Sequence, residues 1–88
     1  HGRAVLFGKS GQGEAMVANR VRGVRAAVYT GGNLEIVKLA REHNDANALS
    51  IGAHFVQPDD AWDAVQLFLK VPFNGEERHV RRIAEIDE

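Results

Sequence analysis

FGKSGQGEA, residues 7–15, decides how the rest of the chain is read. It joins a short apolar run, RAVLF at residues 3–7, to a segment of helical composition, EAMVANRV at residues 14–21. A strand, a glycine-rich loop over residues 8–13 and a helix, in that order, open a βαβ unit. The loop does not spell a nucleotide site. A P-loop needs four residues between its first glycine and G-K-[ST], whereas five residues, the strand itself, separate Gly2 from Gly8. A dinucleotide fingerprint can start at Gly11 and Gly13, but Met16 stands where its third glycine belongs. What remains is a cradle of small residues before a helix, suited to binding a phosphate or stabilising an oxyanion. Glu14 either caps the helix dipole or serves as the carboxylate that takes a proton from a carbon next to a carbonyl. Local sequence leaves both readings open.

Outward from this stretch, strand and helix signals continue to alternate. Gly23 stands where a helix C-cap belongs, residues 24–29 (VRAAVY) read as a second strand, and TGGN at residues 30–33 as a turn. Residues 34–43 form a second helix with Asn33 as N-cap. Residues 48–56 (ALSIGAHFV) form a third strand interrupted by Gly52. Pro58 with Asp59 or Asp60 opens a third helix, with Trp62, Val65, Phe68 and Leu69 on one face. After a break at residues 72–75, residues 76–87 give an amphipathic terminal helix with Val80, Ile83 and Ile86 inward. The expected fold is α/β: right-handed βαβ units around a parallel sheet of about three strands, with flanking helices. Ligands of such sheets sit beyond the C-terminal strand ends. Three strands make a small sheet, so residues 3–7, apolar enough for a buried strand, are expected at an open edge of a partial domain.

Composition bounds the function. Eighty-eight residues, 44% apolar and 26% charged, suit one globular domain and no second one. A net charge of −1 argues against a general nucleic-acid partner. Without cysteine there is no disulfide, thiolate metal site or thiol nucleophile. No apolar run reaches membrane-spanning length and no signal-peptide pattern is present, so a soluble, cytoplasmic protein with no membrane partner is expected.

Two further clusters carry chemistry. AREHNDAN at residues 40–47 places five consecutive polar residues, Arg41 to Asp45, at a helix end. There His43 could move a proton near neutral pH and Asn44 could hold a hydroxyl; an ordinary helix C-terminus would use the same residue types. In RHVRR at residues 78–82, Arg78 and Arg82 share a helix face and suit a phosphate clamp. Alternatively they pair along the helix, as Glu77 with Arg81 or Arg78 with Glu85.

Taken in order, S-G-x-G, A-N-R, G-V-R-A-A, A-R-E-H-N-D-A-N, S-I-G-A and G-E-E-R-H-x-R-R span essentially the whole chain. The sequence resembles the ribose-5-phosphate isomerase B and galactose-6-phosphate isomerase family, whose fold is Rossmann-like and three-layered. The resemblance implies aldose–ketose isomerisation of a sugar phosphate through an enediolate, with no metal or cofactor. Many members use a cysteine base in a C-G-T-G loop, and Gly8 stands at that position. A second branch uses a glutamate in G-S-G-x-G-E, which K-S-G-Q-G-E matches with Glu14 as base. By the same resemblance Ser10 and the amides of Gly11 to Gly13 hold the developing oxyanion. His43 assists ring opening, Asn44 contacts substrate, and Arg78 and Arg82 hold the phosphate. The family's site draws on both subunits of a dimer, so a homodimer or higher homo-oligomer is expected. Lys9 and His54 differ from the family's usual glycine and arginine. The chain corresponds to the family's C-terminal part, leaving an Asp-His substrate-binding motif outside it.

Overall fold

Apolar strands separated by helices assemble into a three-stranded parallel sheet in the computed structural model, which describes residues 2–86. Strands β1 (Ala4–Gly8), β2 (Ala26–Tyr29) and β3 (Ala48–Gly52) lie in the order β1-β3-β2. Gly8 faces Gly52 across one ladder and Tyr29 faces Ile51 across the other. β3, paired on both sides, is buried along its whole length. Among the described residues β1 pairs with β3 alone, and Phe7 is 61% exposed there. The apolar edge strand expected from the sequence is therefore present, and β1 is not a buried strand.

Helices α1 (Gln12–Ala18), α2 (Glu35–Asn44), α3 (Pro58–Lys70) and α4 (Glu77–Ile86) complete the chain. The crossover through α1 runs from β1 across to β2, and that through α2 runs back from β2 to β3. Right-handed crossovers in opposite directions place their helices on opposite faces of the sheet. α1 accordingly lies against all three strands on one face, α2 packs on β2 and on α3, and α4 packs on α2. The polypeptide leaves β1 for one face and leaves β3 for the other, so the crevice between these two strand ends is a topological switch point.

The core joins Tyr29, Val37, Leu49, Ile51, Val56, Ala64 and Phe68 between the sheet and α2–α3. Phe68 is fully buried and contributes about 2 to 3 kcal/mol by leaving water. The buried stripe of α3 follows Ala61, Ala64, Val65 and Phe68. Trp62 and Leu69 sit one residue, about 100° of helix, off that stripe and are 61% and 55% exposed. They are not the core residues that the sequence pattern suggested. In α4 the inward positions are His79 and Ile83, one turn apart, and Val80 is half exposed. The Ile86 side chain and Asp87 lie outside the described residues.

Boundaries differ where caps decide them. α1 ends at Ala18, and Asn19 takes over: its Oδ1 accepts the Ala26 N–H at 2.7 Å. Gly23, at φ +85°, belongs to the turn beyond and is not the helix cap. Asn33 does cap α2 in effect, its Oδ1 accepting the Glu35 N–H at 2.9 Å. β3 stops at Gly52, and residues 53–55 turn away instead of extending the strand to residue 56.

Candidate active site

The glycine loop is bound to the end of β3 by main-chain atoms. The Ala53 N–H donates to the Gly8 carbonyl at 2.7 Å and the His54 N–H to the Lys9 carbonyl at 3.0 Å. The buried Ser50 hydroxyl donates to the Gly11 carbonyl at 2.6 Å. Contact this close requires glycine on both sides. A β-carbon on Gly52 would strike the Ser10 carbonyl, and one on Gly11, whose φ is +78°, would stand 2.9 Å from the Gly52 nitrogen. The loop is thus fixed in the crevice between β1 and β3.

Within it, the Ser10 Oγ accepts the Gln12 N–H at 3.3 Å. Gly13 is the second residue of α1, with open space at its α-carbon. The Glu14 carboxylate folds back over Gly8, so closely that a β-carbon on Gly8 would collide with both carboxylate oxygens. Ser10, Gly11, Gly13 and Glu14 are therefore gathered at the C-terminal end of the sheet, and Glu14 and Gln12 are exposed to solvent.

His43 and Asn44 lie elsewhere. α2 runs antiparallel to the strands, so its last turn stands at the opposite end of the sheet. The five residues of β3 separate the two ends by about 13 Å. His43 joins Arg78, His79, Arg81, Arg82 and Glu85 in lining an open groove of about 530 Å³ between α2 and α4. Asn44 turns to a different cavity, of about 760 Å³, beside Asn19, Arg20, Val21 and β2. The eight residues singled out from the sequence thus occupy three places.

In the α2–α4 groove, Arg78 Nε meets Glu76 Oε2 at 3.0 Å, with both side chains largely exposed. Such a surface pair is worth at most about 1 kcal/mol, and an incoming dianion can displace it. Arg82 Nη2 lies 2.8 Å from His79 Nδ1. The described residues show no pairing of Arg78 with Glu85, and the Glu77 side chain is not among those described. His79, which sequence reasoning passed over, is 2% exposed. Its place one turn before Ile83 was the available signal. Burial first, then His43, Arg78 and Arg82, hold its pKa below the ordinary 6.5 against the opposing effect of Glu76.

Much of the polar richness of residues 40–47 has a structural purpose. Buried Arg41 donates from Nε to the Val71 carbonyl at 2.9 Å, and from Nη1 to the Ala46 carbonyl at 2.7 Å and to Asp45 Oδ1 at 2.8 Å. Asp45 ends the helix in the left-handed region at φ 47°, which Asp tolerates better than most residues. Its Oδ2 also takes Arg25 Nη2 at 3.3 Å. Asn47 bridges the Arg25 N–H and the Gly23 carbonyl, each at 2.8 Å. Among the described residues, no group of three or more His, Asp or Glu is arranged to hold a metal ion.

A family model described as ribose/galactose isomerase matches residues 1–86. Ribose-5-phosphate isomerase B of Mycobacterium leprae is 38% identical over 79 residues, which cover 90% of this chain and 48% of that protein. A solved structure of type B ribose 5-phosphate isomerase from Trypanosoma cruzi is similar at a TM-score of 0.93 and 39% identity, covering 99% of this chain and 57% of that one. Ribose-5-phosphate isomerase B from Mycoplasma genitalium, solved with bound ribulose 5-phosphate, gives a TM-score of 0.89 at 38% identity, covering 97% and 54%. The chain spans about half the length of the curated relatives it matches.

Proposed function

Because the chain belongs to the ribose/galactose isomerase family, we propose that it carries the proton-transfer cradle of a sugar-phosphate aldose–ketose isomerase. The observation that supports this most is the Glu14 carboxylate lying over Gly8 at the mouth of the glycine loop. Open-chain ribose 5-phosphate enters with C2 facing Glu14. The carboxylate takes the C2 proton and the bonding pair remains on the sugar as an enediolate. Ser10 and the amides of Gly11 and Gly13 hold the developing oxygen charge. The proton returns at C1 as the O2 proton moves to O1, which yields ribulose 5-phosphate.

In this reading His43 assists ring opening, Asn44 touches the sugar, and Arg78 with Arg82 clamp the phosphate. Those groups lie about 13 Å or more from the cradle within one chain. The reading therefore calls for a homodimer in which one protomer's α2–α4 end meets the cradle of its partner. A cytoplasmic location goes with it, since phosphorylated sugars do not diffuse across membranes.

The same separation favours a second reading, a phosphate-binding or assembly module without catalysis. Solvent deuterium incorporation at C2 of ribose 5-phosphate decides between them. Incorporation that vanishes in Glu14→Gln supports the isomerase; phosphate-sugar binding with no incorporation supports the module.

A further inference from the structure

The terminal helix meets the rest of the molecule across α2, and the buried group at that contact is a histidine. The rings of His79 and His43 stack with centroids 4.6 Å apart and planes 14° apart. His79 Nδ1 lies 2.8 Å from Arg82 Nη2. A guanidinium only donates hydrogen bonds, so Nδ1 is the acceptor and the neutral ring carries its proton on Nε2. Among the described residues that Nε2 is buried without a hydrogen-bond partner, and Glu76 Oε2 stands 3.9 Å away. A second proton must go to Nδ1, the atom Arg82 already faces with its own N–H. Protonation would therefore set donor against donor at 2.8 Å and place a buried cation among other cations.

The groups facing the ring leave that cation little relief. α2 presents His43, α4 itself presents Arg78 and Arg82, and the segment before α4 presents Glu76. Glu76 is already engaged by Arg78 at 3.0 Å. From this geometry we propose that the docking of α4 on α2 is a proton-operated latch, closed while His79 is neutral and released when it is protonated. The lowered pKa of docked His79 has the matching sign. An undocked helix binds a proton near 6.5, and the docked one only at lower pH. Docking is complete above that interval and weakens as pH falls through it, by at most about tenfold per pH unit for one proton. Its bearing on substrate rests on the proposed clamp: Arg78 and Arg82 ride on α4, so release carries the phosphate ligands away.

The test is amide hydrogen exchange of residues 79–85 against residues 48–52, at about pH 7.5 and about pH 5, corrected for the intrinsic pH dependence of exchange. Protection of α4 relative to β3 should fall in the native protein, by up to about tenfold for each pH unit below 6.5. It should stay level in His79→Phe, whose ring still stacks but takes no proton. Level protection in the native protein, or an equal fall in both proteins, overturns the latch. Should His79→Phe leave α4 undocked at both pH values, the native protein decides: the midpoint of the His79 ring-proton titration must coincide with the fall in α4 protection, and a mismatch overturns the latch. Calorimetry with inorganic phosphate at the higher pH separates the two ideas. Absent phosphate binding in a protein whose latch titrates as described counts against the clamp and leaves the latch standing.

Discussion

The carboxylate of Glu14 occupies the volume into which a side chain at position 8 would project, and the bare α-carbon of Gly8 is what admits it. The base proposed for proton transfer and the residue beneath it are thus one steric unit. Glu14→Gln is expected to lower deuterium exchange at C2 about a hundredfold or more, with binding of inorganic phosphate unchanged. Gly8→Ala is expected to push the carboxylate aside and cost about tenfold or more in exchange, with little change in the denaturation midpoint. Native exchange rates in Gly8→Ala would mean that the working carboxylate does not sit there.

Gly52→Ala tests the close approach of the loop to β3. The added β-carbon falls on the Ser10 carbonyl and 3.1 Å from Thr30 Cγ2, and main-chain atoms cannot swing aside as a long side chain can. Urea denaturation is expected to show a loss of about 1 to 3 kcal/mol. A neutral substitution would show that the loop can lift from β3 at no cost.

Tyr29 donates its hydroxyl proton to Asp60 Oδ1 at 2.7 Å, tying β2 to the start of α3. Burial first, then the Asp60 hydrogen bond and the charges of Asp60 and Asp63, push its pKa from 10.0 to about 12. The folded state holds this proton more tightly, so the stabilisation is complete below 10 and disappears as pH rises from 10 towards 12. It is the chain's single tyrosine, so phenolate absorbance reports it alone. Alkaline stability curves of the native protein should slope downward over that interval, and Tyr29→Phe should remove the slope.

Arg41→Leu removes the donor that closes the end of α2 onto the chain leaving α3. The carbonyls of Val71 and Ala46 lose this donor, and among the described residues Asp45 keeps Arg25. A cost of about 3 kcal/mol is expected in chemical denaturation. A loss below about 1 kcal/mol would mean that water reaches both carbonyls.

The order of strands and helices could be read from the sequence because each apolar run is closed by a glycine, an asparagine or a proline. Helix faces were less legible. Trp62 and Leu69 have the spacing of core residues, and only the placement of α3 over β3 selects Ala61, Ala64, Val65 and Phe68 instead. At the site, the glycine loop could be read locally because its geometry is local. The run at residues 40–47 could not, because Arg41, Asp45 and Asn47 bond to Val71, Arg25 and Gly23, partners far away in sequence. His79 was hidden for a related reason: its significance comes from the ring of His43 on another helix.

The cradle hangs from the amides of Ala53 and His54, and an amide is common to every residue except proline. Its position is consequently independent of which side chains stand at 9, 53 and 54. Those three positions hold the loop through main-chain atoms alone, so in the proposed isomerase they are where a change of sugar preference could be introduced with the loop left in place. Variation in what the site accepts and permanence in where it lies are kept on separate atoms.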